Sequence, residues 1–118
     1  MTDAAGIARR YVEAMNAGDI DAMMALFAPG AVMRHPSGIY ADAGAIRSFF
    51  VEIAFGNSAR LRSIEVLERG NKTWLEVEAE SAVTPGRQRV VDVFRLDEQG
   101  RITDLGVYSG NIVPESDA

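Results

Sequence analysis

Helices first and strands after is the order written into this chain, and it predicts an α+β domain. Apolar residues recur at three- and four-residue spacing up to about residue 57, then at every second residue from residue 60 onward. Turn signals at Gly70-Asn71, Pro85-Gly86 and Glu98-Gln99-Gly100 divide the second half into four short strands, the pattern of an antiparallel meander. The 118 residues are one domain's length, so residues 1–118 are expected to share a single core.

From Ala4 to Ala17, Ile7, Ala8, Tyr11, Val12 and Met15 form one stripe of an amphipathic helix, with Arg9, Arg10 and Glu13 away from it. Tyr11 is therefore expected inside. Asn16-Ala17-Gly18 ends this helix, and Asp19 is positioned to cap a second one running to about Ala28, where Pro29-Gly30 stops it. Ala31 to Arg34 reads as a strand, and His35-Pro36-Ser37-Gly38 turns the chain away from it. Asp42 caps a third helix that carries Ile46, Phe49, Phe50, Ile53 and Ala54 before Gly56-Asn57 closes it. Strands are expected over residues 60–68, 73–83, 88–96 and 101–109, and the tail from Pro114 to Ala118 is expected to fray.

Alternation assigns faces to these strands. Glu76, Glu78 and Glu80 share one side, whereas Leu75, Val77, Ala79 and Val83 share the other. In the next strand Arg87, Arg89 and Arg95 oppose Val90, Asp92, Phe94 and Leu96 in parity, so a cross-strand charge ladder between the glutamates and the arginines is the ordinary explanation of those six residues. Asp92 falls outside that explanation. It is the carboxylate on an apolar parity, where an ionised group is costly unless paired, and it must be neutral, partnered or poised for chemistry.

Composition removes several function classes. A net charge of −5 without a run of Lys or Arg lacks the footprint of a nucleic-acid binder. The absence of cysteine excludes disulfides, thiolate nucleophiles and thiolate zinc sites. A single histidine without clustered carboxylates argues against a metal centre, and no glycine-rich phosphate loop or dinucleotide fingerprint calls for an organic cofactor. There is no secretory leader and no apolar run of membrane-spanning length, so a cytoplasmic protein is the expectation. Ser37, Ser81 and Ser109 sit in no nucleophile motif and read as ordinary polar residues. The lone histidine, His35, lies at a strand end; it is either a loop-packing residue or a general base, since imidazole titrates near neutral pH.

The segments Arg10 to Asp21, Ala25-Leu26-Phe27-Ala28, and His35-Pro36 with Gly38 resemble the opening of bacterial ketosteroid isomerases. Similarity continues through Ala45-Ile46-Arg47 with Phe49, Asp92 with Phe94-Arg95, and Gly110-Asn111-Ile112, covering nearly the whole chain. The Asn-Ala-Gly-Asp turn and the Ala-Leu-Phe-Ala segment mark the broader NTF2-like (SnoaL-like) superfamily. The resemblance implies a curved, mainly antiparallel sheet wrapped around three helices to leave a conical pocket.

In the isomerases a helix tyrosine and a protonated aspartic acid donate hydrogen bonds to the substrate oxygen. Those positions fall on Tyr11 and Asp92. The family's general base is an aspartate before a proline, and here that position is His35. An imidazole at this place is still a base, but it passes from neutral to cation where a carboxylate passes from anion to neutral. Proton transfer beside a carbonyl of an apolar molecule is the implied reaction, with steroids themselves not implied. Phe49 and Phe94 match positions near the substrate, though both also read as core. Superfamily members that dehydrate or cyclise with a His-Asp pair offer a second reading, in which an ionised Asp92 orients His35. A third is a small-ligand-binding protein without catalysis. Trp74 lies on the outer parity of its strand, and the family's sheet-to-sheet pairing implies a homodimer through that face.

Overall fold

The structure is a computed structural model and describes residues 4–113; the terminal segments, including the tail expected to fray, lie outside the described residues. Helix α1 (Ala4–Ala17) and helix α2 (Ile20–Met24) precede strand β1 (Phe27–His35) and strand β2 (Gly38–Tyr40). Helix α3 (Ala43–Ser48) continues into a wide π-type segment over Phe49–Ala54 and a tight turn over Phe55–Asn57. Strands β3 (Arg60–Arg69), β4 (Lys72–Glu80), β5 (Arg87–Leu96) and β6 (Ile102–Val113) complete the domain.

Six strands form one open, curled sheet in the order β2-β1-β6-β5-β4-β3, antiparallel throughout except where β1 runs parallel to β6. The four later strands are the predicted meander, and the helices pack on its concave side. There Ile7, Met23, Ile46, Phe50, Leu75, Val77, Phe94 and Leu105 are all at 1% exposure or less. Burial of these side chains supplies most of what holds a cysteine-free domain together.

The first half departs from the sequence expectation where long-range pairing outweighs local signals. The second helix ends at Met24, not Ala28, because Leu26 and Phe27 are taken by the sheet: the Ile102 amide donates to the Leu26 carbonyl at 2.7 Å, and Phe27 pairs with Ile102. Pro29 and Gly30 therefore interrupt no helix. They occupy a bulge inside β1, where the register with β6 shifts between Phe27 and Val32 and Gly30 adopts φ +79°. Strand β2 was not expected; it is the short return arm of a hairpin whose two-residue loop is Pro36-Ser37, with His35 opposite Gly38. The second meander strand ends at Glu80 rather than residue 83, leaving Val83 69% exposed beyond it.

Asn16, read as part of a helix end, also joins two layers. Its side-chain amide donates to the Leu61 carbonyl at 2.9 Å while its Oδ1 accepts the Leu61 amide at 2.7 Å. A pair of bonds thus ties the C-terminal turn of α1 to β3. Asn16→Ala strands both backbone groups, and a stability loss of about 1–3 kcal/mol is expected in urea titration.

On the convex face the charge ladder forms with altered membership. Glu78, with its side chain only 3% exposed, accepts from Arg62 at 2.7 Å and Arg87 at 3.3 Å, while Arg89 donates to Glu76 at 2.9 Å. The hydrogen bond from Arg62, reinforced by the charges of Arg87 and Arg89, holds the Glu78 carboxyl below its usual range. Arg95, expected in this ladder, lies in register with Lys72 and Asp104 instead, because β4 and β5 pair four positions away from the offset that would set it opposite Glu76. Trp74 is half-buried on this face, with the Lys72 ammonium 4.9 Å from its ring.

Candidate active site

A cavity of about 490 Å³ opens between the helices and the concave face of the sheet. Its walls are mainly apolar, from Met15, Phe49, Ile53, Leu61, Val90 and Val107. Tyr11, His35 and Asp92 all reach it, so one space brings together a helix residue, a hairpin residue and a sheet residue that are far apart in sequence. At the mouth, Ile53 and Val83 remain 42% and 69% exposed, an apolar rim that the helical and strand periodicities had assigned to the core.

Tyr11 owes its place to the buried stripe of α1. Its ring is 3% exposed and stands edge-on to Phe94 at 5.1 Å and to Phe50 at 6.2 Å, which fixes the direction of the hydroxyl. Burial, with a contribution from nearby Asp92, pushes its pKa well above the ordinary tyrosine value, so the hydroxyl keeps its proton and is a hydrogen-bond donor. Phe94 itself is fully buried behind Tyr11 and does not line the cavity, whereas Phe49 does. Inward parity alone does not separate a pocket wall from the layer behind it; Phe94 supports Tyr11 rather than facing a ligand.

Asp92 projects from the middle of β5 between Val90 and Phe94, as alternation requires, and is 2% exposed. Among the described residues none donates a hydrogen bond to its carboxyl. Desolvation therefore acts unopposed and raises its pKa from 3.8 to about 7. The result is a carboxyl that exchanges a proton near neutrality inside an apolar chamber, with a protonated Tyr11 beside it.

His35 is half-buried at the end of β1, its ring 4.7 Å from that of Phe49. Partial burial lowers its pKa below 6.5, so the imidazole is neutral at physiological pH. The Ser37 amide donates to Nδ1 at 3.0 Å. A nitrogen that accepts an amide proton carries its lone pair, which places the ring proton on Nε2. No His35–Asp92 hydrogen bond is present, so the reading in which an ionised Asp92 orients the imidazole lacks the contact it needs; Ser37 occupies Nδ1 instead.

Further polar residues also border this space, among them Ser81 and Ser109, which the sequence marked only as ordinary polar residues. Ser81 and Thr84 share a hydrogen bond at 3.0 Å, and Ser109 donates to Gln88 at 3.4 Å, both pairs beside the mouth. They come from a loop, the start of β5 and the body of β6, and no local motif marks them. Among the described residues no group of three or more His, Asp or Glu side chains could hold a metal ion, and no helix is long and apolar enough to cross a membrane.

The family model described as a SnoaL-like domain matches residues 8–105, a span that includes Tyr11, His35 and Asp92. Solved structures share the fold. SalBIII, an epoxide hydrolase/cyclase-like enzyme of pyran ring formation in polyether salinomycin, is 24% identical at a TM-score of 0.80, over 91% of this chain and 90% of that one. A protein from Kribbella flavida provisionally described as a ketosteroid isomerase is 15% identical at a TM-score of 0.80, over 94% and 80% of the two chains. An NTF2-like protein of unknown function from Cytophaga hutchinsonii is 15% identical at a TM-score of 0.79, over 92% and 91%.

Proposed function

This chain belongs to the SnoaL-like (NTF2-like) domain family, and from that membership and its cavity we propose an enzyme that moves a proton beside the carbonyl of an apolar small molecule. The observation that carries this reading is Asp92: buried, without a hydrogen-bond donor among the described residues, and facing the same apolar space as two hydrogen-bond donors. A carboxyl kept purely for stability would be satisfied by the backbone or by a cation.

Sequence comparison assigned the proton to His35 and the oxygen to Tyr11 and Asp92. The Ser37 amide on Nδ1 favours the opposite division of labour, because a neutral imidazole protonated on Nε2 has no lone pair left for a ligand. Asp92, ionised, takes a proton from the carbon next to the carbonyl. The C–H electron pair becomes the enolate double bond and the carbonyl π pair moves to oxygen, where Tyr11 and His35 donate hydrogen bonds to the developing charge. The protonated Asp92 then returns the proton to another carbon, which isomerises the substrate without net gain or loss. Ile53 and Val83 at the rim suit an apolar substrate body.

The two divisions of labour predict opposite pH profiles. With Asp92 as base, turnover rises with pH and levels off above about 7, the folded-state pKa of Asp92; with Asp92 as the protonated donor it would fall across the same range. The test is turnover of a panel of β,γ-unsaturated ketones from about pH 5 to about pH 9 by the native protein, Asp92→Asn and His35→Ala. Turnover that survives unchanged in both variants would overturn the proposal. An apolar ligand held tightly and released unaltered, with no turnover by the native protein, would make this a binding protein.

A further inference from the structure

The hairpin that carries His35 holds the ring by more than its backbone. The Ser37 amide donates to Nδ1 at 3.0 Å, and the Ser37 hydroxyl lies 2.9 Å from the same nitrogen. That hydroxyl is in turn 2.7 Å from the phenol of Tyr40, on the return strand β2. Tyr40 packs at 5.0 Å on Phe49, the ring that His35 also leans on, so His35 and Tyr40 share a buried support and Ser37 bridges them.

The direction of these bonds follows from the one member that has no choice. A backbone amide can only donate, so Nδ1 is an acceptor. The Ser37 hydroxyl then satisfies itself by donating to Nδ1 and accepting from Tyr40, because the reverse orientation would set two lone pairs face to face. Every proton in the chain Tyr40, Ser37, His35 points toward the imidazole. Nε2 makes no hydrogen bond among the described residues, and His35 borders the cavity.

We propose that Ser37 and Tyr40 are positioning residues that fix His35 as the Nε2–H tautomer, and that the site consequently prefers ligands whose polar end is a bare acceptor oxygen, such as a ketone, over apolar ligands that carry no acceptor. Tyr11 is also a donor facing the same cavity. A ketone oxygen satisfies both; a ligand without an acceptor would leave them unpaired. The ligand-class half of this inference rests on the proton-transfer reading of the cavity. The tautomer does not, and it can be read without any substrate.

Because His35 is the one histidine of the chain, nitrogen-15 labelling of histidine yields a single imidazole spin system. At about pH 7.5, above the unperturbed imidazole pKa, the native protein is expected to show Nδ1 unprotonated and Nε2 protonated. Ser37→Ala and Tyr40→Phe are expected to move the tautomer ratio toward Nδ1–H by about fivefold each, the change that one net hydrogen bond of ordinary strength supports. A native spectrum with Nδ1–H dominant, or a ratio unmoved in both variants while the fold is retained, would overturn the positioning role. Titration with 2-decalone is expected to shift the Nε2 resonance, and decalin, the same skeleton without the acceptor oxygen, is expected not to. Equal responses to both probes would overturn the ligand class, while absence of ketone turnover alongside a fixed tautomer would count only against the proposed reaction.

Discussion

Asp92→Asn is expected to lower turnover by about 10²–10⁴-fold, the usual worth of a positioned acid-base group, while making the protein more stable at neutral and alkaline pH. The stability half follows from linkage. An aspartate with a pKa of 3.8 when solvated and about 7 when folded binds its proton more tightly in the folded state. Its contribution is fully present below 3.8, declines as pH rises, and is gone above about 7; the whole change amounts to about 4 kcal/mol, more than half of it above pH 5. Asparagine has nearly the shape of the neutral acid and never ionises. Urea midpoints of the two proteins should therefore coincide in acid and separate as pH rises, with the variant higher. His35 works in the other direction, since a lowered pKa gives stability that is present above 6.5 and lost as pH falls through the folded value, but it is common to both proteins and cancels in the difference. Parallel urea curves from acid to neutral pH would mean that burial does not hold Asp92 protonated.

This coupling of activity to instability is what alternation in β5 made visible. A carboxylate between Val90 and Phe94 had to face the core, and Tyr11 had to face it from α1, so two members of the site were legible from periods of two and of 3.6 residues. The rest depended on contacts that periodicity does not encode. Depth is one: Phe94 and Asp92 share a parity, yet one lies behind Tyr11 and the other beside open space. Proton placement is another, because the tautomer of His35 is decided by an amide two residues on whose direction only the hairpin fixes. Pairing is the third. Leu26 and Phe27 look helical until Ile102, remote in sequence, claims them for a parallel pair, and Pro29-Gly30 looks like a stop until the bulge it forms is seen inside β1.

The aromatic cluster behind the site sets the second large effect. Phe50 is fully buried, with ring centroids 6.2 Å from Tyr11, 5.9 Å from Phe27, 5.2 Å from Phe49 and 6.1 Å from Phe55. Phe49 and Phe50 are consecutive and both buried because the helix widens into a π-type turn over Phe49–Ala54, which gives Phe49 to the cavity and Phe50 to the core. Phe50→Ala removes the ring from a position where four elements converge and collapse is restricted, so a loss of about 3–5 kcal/mol is expected. Against a total of about 5–15 kcal/mol for a domain of this kind, that is a large fraction, and scanning calorimetry should show the midpoint falling by more than about 10 °C. Phe50→Leu keeps most of the volume and should cost less than half as much. Turnover separates packing from chemistry. Measured well below the midpoint, where the variant is still folded, Phe50→Ala should retain the rise with pH set by Asp92 but turn over more slowly, because Tyr11 has lost one of the two rings that aim its hydroxyl. An unchanged rate in that folded variant would show that Phe94 alone suffices to hold Tyr11, and that the π-type turn serves the cavity wall and not the donor.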